Sequence, residues 1–100
     1  MKATDVRITV VKRLFHEDLV AEYTEGPPWH RCDLFADGQE FVSAGGTTMP
    51  PGFCSPAWVD IQKYAMALAR GANYVGAKPG VFVTCCSDGF RPVVFKVERI

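Results

Sequence analysis

One segment of this chain, Ser55 to Gly71, carries a start, a body and a stop for a single helix. Ser55 suits an N-cap, because its hydroxyl can accept a hydrogen bond from a free amide of the first turn. Pro56 suits the first helical position, where its missing N–H costs nothing. Gly71 suits the residue just past the end, where chains commonly turn left-handed. Between them Ala57, Ile61, Tyr64, Ala65, Leu68 and Ala72 recur at the intervals that line one helical face. The pattern predicts a helix over about residues 56–70. Val59 and Met66 lie off the apolar stripe, so this helix is expected to be embraced on more than one side. Gly26-Pro27-Pro28 and Pro50-Pro51-Gly52 break the chain before it.

Strands account for most of the rest. Val6, Ile8 and Val10 alternate with Arg7 and Thr9, the pattern of a half-buried strand. Leu14 to Tyr23 has room for one or two helical turns, with Glu17 and Asp18 suited to the first of them. Trp29 to Phe35 reads as irregular, Asp37-Gly38 as a turn, and Gln39 to Ser43 as a short strand. The C-terminus reads as a β-hairpin. Val81, Val83 and Cys85 alternate onto one face, and Val93, Phe95 and Val97 onto the matching face of the returning strand. Ser87-Asp88-Gly89 supplies the turn, and Pro92 opens the last strand where a missing N–H is tolerable. The expected fold is a single α+β domain over residues 1–100. A small, mostly antiparallel sheet, curled towards a barrel, packs on one main helix.

Charge narrows the partners. Lys and Arg number 11, as do Asp and Glu, so the formal net charge is zero. Nucleic acid and anionic membranes both select for a basic excess, and neither is expected as a partner. A neutral chain does little to oppose self-association, which leaves a homo-oligomer open. The first residues show no apolar signal segment, and no run approaches a membrane span, so the expected compartment is cytoplasmic. There the four cysteines are expected as thiols, ligands or catalytic groups rather than disulfides.

Those cysteines, Cys32, Cys54, Cys85 and Cys86, with His16 and His30, hold the chemistry. Cys54 is the strongest candidate, because it precedes the main helix at the positive end of its dipole, a position that activates thiols. It equally suits a packing role, stapled against Val59. Cys85 and Cys86 are neighbours in a strand, so one faces the core side with Val83 and the other faces away. His30 and Cys32 flank Arg31. With Cys54 and either Cys85 or Cys86 they would complete a tetrahedral set for zinc, or a site for iron or copper. The paired short spacing that marks such sites is missing. His16 has acidic neighbours that can orient its ring as a base, or it is a half-exposed histidine at an element boundary. Gly45-Gly46-Thr47-Thr48 reads as a flexible loop able to act as a lid, and no nucleotide-binding pattern is present. Arg91 either pairs with Asp88 or holds a substrate carboxylate. Trp29, Phe53 and Trp58 flank the cysteine-bearing loops, and Tyr64 lies on the main helix; together they suit the walls of a small-molecule site or plain core packing.

Three segments also resemble a known group. They are Cys32-Asp-Leu-Phe-Ala-Asp-Gly-Gln-Glu-Phe41, Met49-Pro-Pro-Gly-Phe-Cys-Ser-Pro-Ala-Trp58 and Cys85-Cys-Ser-Asp-Gly-Phe-Arg-Pro-Val-Val-Phe95. With the opening strand and Phe15-His-Glu-Asp18, they resemble a family of small bacterial and archaeal proteins with no assigned activity. The resemblance spans nearly the whole chain. It implies a stand-alone domain and a shared site, and no particular reaction. His30 falls outside the resembling segments.

The expected function is a small enzyme acting on a hydrophobic or aromatic metabolite, of isomerase, lyase or decarboxylase type. Cys54 would be its nucleophile or acid/base, His16 or His30 the partner base, and Cys32 with Cys85 or Cys86 the neighbours that tune it. Trp29, Phe53, Trp58, Tyr64, Cys86 and Arg91 would contact the ligand. The alternative is a non-catalytic metal- or small-ligand-binding protein or accessory subunit. A third reading makes the cysteines scattered core residues, with function at an interface.

Overall fold

The computed structural model describes residues 2–100. Its elements run β1 (Val6–Arg13), α1 (Glu17–Tyr23), β2 (Glu40–Ser43), a 3-10 turn at Ala44–Gly46, α2 (Ser55–Ala69), β3 (Val81–Cys85) and β4 (Val93–Arg99). The four strands form one antiparallel sheet in the order β2-β1-β4-β3, and α2 packs on one face of it. This is the α+β class that the sequence predicts. The sheet is open, with β2 and β3 as edges, and does not curl into a barrel.

The core lies between α2 and the inner sheet face. Val6, Ile8 and Val10 of β1 and Val93, Phe95 and Val97 of β4 supply the sheet side. Ala57, Trp58, Ile61, Ala65, Leu68 and Ala69 supply the helix side. Phe35, Phe41, Phe53 and Phe95 close it with edge-on and tilted ring contacts, their centroids 4.9–5.8 Å apart. Val59 is 73% exposed, so that side of α2 is open and Val59 cannot staple Cys54, whereas Met66, the other residue off the stripe, is half-buried.

The cap of α2 also sits one residue earlier than the sequence suggests. Cys54 has extended angles (φ −70°, ψ 119°), and its carbonyl accepts the first helical bond, from the Trp58 amide at 2.9 Å. Cys54 is therefore the N-cap, Ser55 the first helical residue and Pro56 the second. The Cys54 side chain makes no capping bond. At the other end Gly71 takes φ 94°, and the amides of Gly71 and Ala72 return to the carbonyls of Leu68 and Ala67 at 3.0 Å each. That is a Schellman stop, which glycine enters without a Cβ clash. Arg99 reinforces it from β4, donating to the Leu68 and Ala72 carbonyls at 2.9 Å each. A cation here also opposes the negative end of the helix dipole.

Register decides the faces of the hairpin. Val81, Val83 and Cys85 pair with Glu98, Lys96 and Val94, while Phe82 and Thr84 pair with Val97 and Phe95. Directly paired residues share a face, so Phe82 and Thr84 point to the core side. Val83 and Cys85 point outward and are exposed. The expected core face of this strand is thus the outer one.

The Gly45-Gly46 segment is a close contact rather than a lid. A Cβ on Gly46 would lie 2.6 Å from both the Ala65 carbonyl oxygen and the Ala69 Cβ, and its φ is +73°. Glycine lets the turn rest directly on α2.

Candidate functional site

Three segments meet at one end of the core, around a cavity of about 280 Å³. The loop before β2 contributes Cys32, Leu34 and Phe35. The start of α2 contributes Cys54, Pro56, Ala57 and Asp60. The end of the hairpin contributes Cys86, Ser87, Asp88, Arg91 and Val93. Three of the four cysteines thus line a single space, and all four are free thiols.

Each thiol is placed by its own local cause. Strand β1 holds Cys32 through a β-bulge. The β1–β4 register shifts between Val10 and Lys12, leaving Val11 unpaired and exposed. The extra residue turns Lys12 to the outer face opposite Val94 and Arg13 to the inner side opposite Val93. Arg13 then donates to the carbonyls of Cys32 at 3.0 Å and Phe35 at 3.3 Å, and pairs with Asp37 at 2.9 Å. The Cys32 loop is pinned from the strand beneath it. Cys54 is placed by the start of α2, whose first amides have no acceptor within the helix. Cys86 follows β3 and turns to the side of Val93. Its amide donates to the Val93 carbonyl at 3.0 Å, and its sulfur accepts the Val93 amide at 3.3 Å.

The turn between Cys86 and Val93 is rigidly built. The Asp88 Oδ1 accepts the amides of Phe90 at 2.9 Å and Arg91 at 3.0 Å, and Oδ2 accepts the Arg91 Nε–H at 3.4 Å. Asp60 reaches across from α2 and accepts the Ser87 amide at 2.7 Å. Partial burial raises the Asp88 pKa, but the two amides and the Arg91 guanidinium outweigh it and hold the carboxyl below its usual range. Arg91 is fixed on a second side by Trp29, whose ring lies 5.0 Å from the guanidinium carbon. Trp29 in turn packs edge-on against Phe90 at 5.3 Å.

The other predicted residues lie elsewhere. Cys85 is exposed on the outer sheet face, so it cannot join Cys86 in one site. His30 is exposed and bonds the Arg31 carbonyl at 2.7 Å through Nδ1. It lines a shallow depression with Pro27, Pro28, Trp29 and Arg91, outside the thiol-lined space. His16 caps α1 and does not line the cavity. Phe53 and Trp58 are buried core members rather than cavity wall. Tyr64 stacks with Tyr74 and Phe82 in a separate cluster, with centroids 4.5–5.6 Å apart. Among the described residues, no group of three or more His, Cys, Asp or Glu side chains is arranged to hold a metal ion. No helix among them is long and apolar enough to cross a membrane.

Sequence reasoning missed Asp60, Ser87 and Leu34 as parts of the site. Asp60 had a signal: it sits beside Ile61 at the border of the apolar stripe, three residues past Ala57. An acid there is either solvated or engaged with a neighbouring element. Neither a family model, nor a curated protein, nor a solved structure matches this chain.

Proposed function

We propose that this chain is a small-ligand-binding protein whose ligand occupies the cavity between Cys32, Cys54 and Cys86. One observation carries the reading: three thiols from segments far apart in sequence converge on one space of about 280 Å³. Thiols are soft and weakly polar, and with Leu34, Phe35, Ala57 and Val93 they form an apolar wall suited to a small hydrophobic body. Neither histidine lines that wall. A proton-shuttling cysteine–histidine enzyme would need one there, so binding is favoured over catalysis.

Native labelling with iodoacetamide, read by peptide mass mapping, tests this with benzyl alcohol as a neutral probe. Saturating benzyl alcohol should slow the labelling of Cys32, Cys54 and Cys86 together, severalfold, and leave Cys85 unchanged. Equal rates with and without the probe at all four thiols would remove the reading. A second reading, with Cys54 as a nucleophile, is favoured by its unbonded side chain at the start of α2. It predicts one thiol alkylating far faster than the other two.

A further inference from the structure

We propose that the ligand of this cavity is a monocarboxylate with a small apolar body, and that Arg91 grips its carboxylate. The proposal rests on the cavity being a ligand site and adds the chemical class. Arg91 lines both the thiol cavity and the depression outside it, so the residue stands at the boundary between them. Its Nε is taken by Asp88 at 3.4 Å, and its face by the Trp29 ring. Among the described residues its two Nη groups donate to nothing. An arginine held by Nε and by its face presents those two donors as a fixed fork, the geometry that a carboxylate accepts in bidentate fashion.

Two acids also line the cavity, and their charge is the main cost to an anionic ligand, while their hydrogen bonds tie both to the turn that carries Arg91. Asp88 spends both oxygens on the turn and on Arg91. Asp60 accepts the Ser87 amide at 2.7 Å, at the start of the same turn. Both carboxylates therefore brace the segment that carries Arg91. Their negative charge limits the site to the one carboxylate that the Arg91 fork can offset, and makes preference for a cation the outcome that would sink the proposal. The uncapped first turn of α2 lies across the same space and adds a weak positive potential. The remaining walls, Leu34, Phe35 and Val93 with the thiols, take the apolar body.

The test compares phenylacetate with phenylacetamide, 2-phenylethanol and phenethylamine, which share size and ring but differ in charge. Binding is read by Trp29 fluorescence in a Trp58→Phe background, where Trp29 is the sole tryptophan and touches Arg91 directly. Thiol protection gives a second readout that does not depend on Trp29. Phenylacetate should bind roughly tenfold or more tighter than phenylacetamide, about 1.4 kcal/mol, as expected for a charge-assisted paired hydrogen bond. Arg91→Met should bring phenylacetate down to the level of the amide, by thiol protection, while 2-phenylethanol still protects. Arg91→Lys should keep part of the preference, since the charge survives and the fork does not. Phenylacetate binding no tighter than phenylacetamide, with 2-phenylethanol still protecting, would overturn the carboxylate and leave the cavity reading standing. Tighter binding of phenethylamine would overturn it in favour of Asp60 as the anchor. Protection by none of the four would remove both.

Discussion

At the scale of single residues, identity and neighbourhood separate sharply. Cys85 and Cys86 are adjacent and chemically identical, yet one is exposed on the outer face and the other lines the cavity. A one-residue step along a strand reverses the side chain, so spacing tells that they differ and not which is which. Asp88 holds the turn beside the cavity through its ionised carboxylate. Its carboxyl is more acidic in the fold than in the unfolded chain, so its contribution to stability is fully present above the ordinary value of 3.8 and is lost as pH falls below it. Asp88→Asn should cost up to about 1 kcal/mol at neutral pH, where the ionised carboxylate holds two amides and a guanidinium. The same variant should lose less stability than the parent on acidification. Urea unfolding of both proteins at neutral pH and near pH 3 checks this. Parallel losses in the two would mean that the Asp88 charge contributes nothing to the fold.

At the scale of elements, α2 was legible from its stop more than from its start. Gly71 ends it as expected, because its φ of 94° is one that side chains avoid. The start lies one residue before the better capping side chain, Ser55, because Cys54 holds the capping backbone angles. The residue before the cap, Phe53, is buried in the core. Cys54→Ser places a hydroxyl where no capping bond now exists, and should raise stability by about 0.5–1 kcal/mol in urea unfolding. A loss of stability instead would assign the Cys54 sulfur a packing role at the cavity wall. Strand β3 failed for a related reason. Val81, Val83 and Cys85 are as good a buried set as Phe82, Thr84 and Cys86, and only the pairing of Val83 with Lys96 decides between them.

At the scale of the whole molecule, two aromatic groups divide the inner sheet face. Phe35, Phe41, Phe53 and Phe95 form the centre, and Tyr64, Tyr74 and Phe82 cover the β3 edge. Phe95 is fully buried, so Phe95→Ala should cost about 3–5 kcal/mol, a large share of the ~5–15 kcal/mol that holds a domain folded. Phe82 is half-buried, and Phe82→Ala should cost less than half as much in the same denaturant titration. Equal costs would mean that the edge cluster belongs to the main core. Sequence alone determined the class of the fold, the strands β1 and β4, the long helix and the C-terminal hairpin. Those follow from periodicity and from glycine and proline, which act over a few neighbouring residues. Sequence also singled out Cys32, Cys54, Cys86 and Arg91 by residue type. Tertiary structure alone decided that these four share one cavity, that Asp60 and Asp88 brace it, and that His16, His30 and Cys85 stand outside. The reason is topological. Cys32, Cys54 and Cys86 meet because the order β2-β1-β4-β3, the β1 bulge and the seat of α2 bring distant segments together, and no local pattern encodes that meeting.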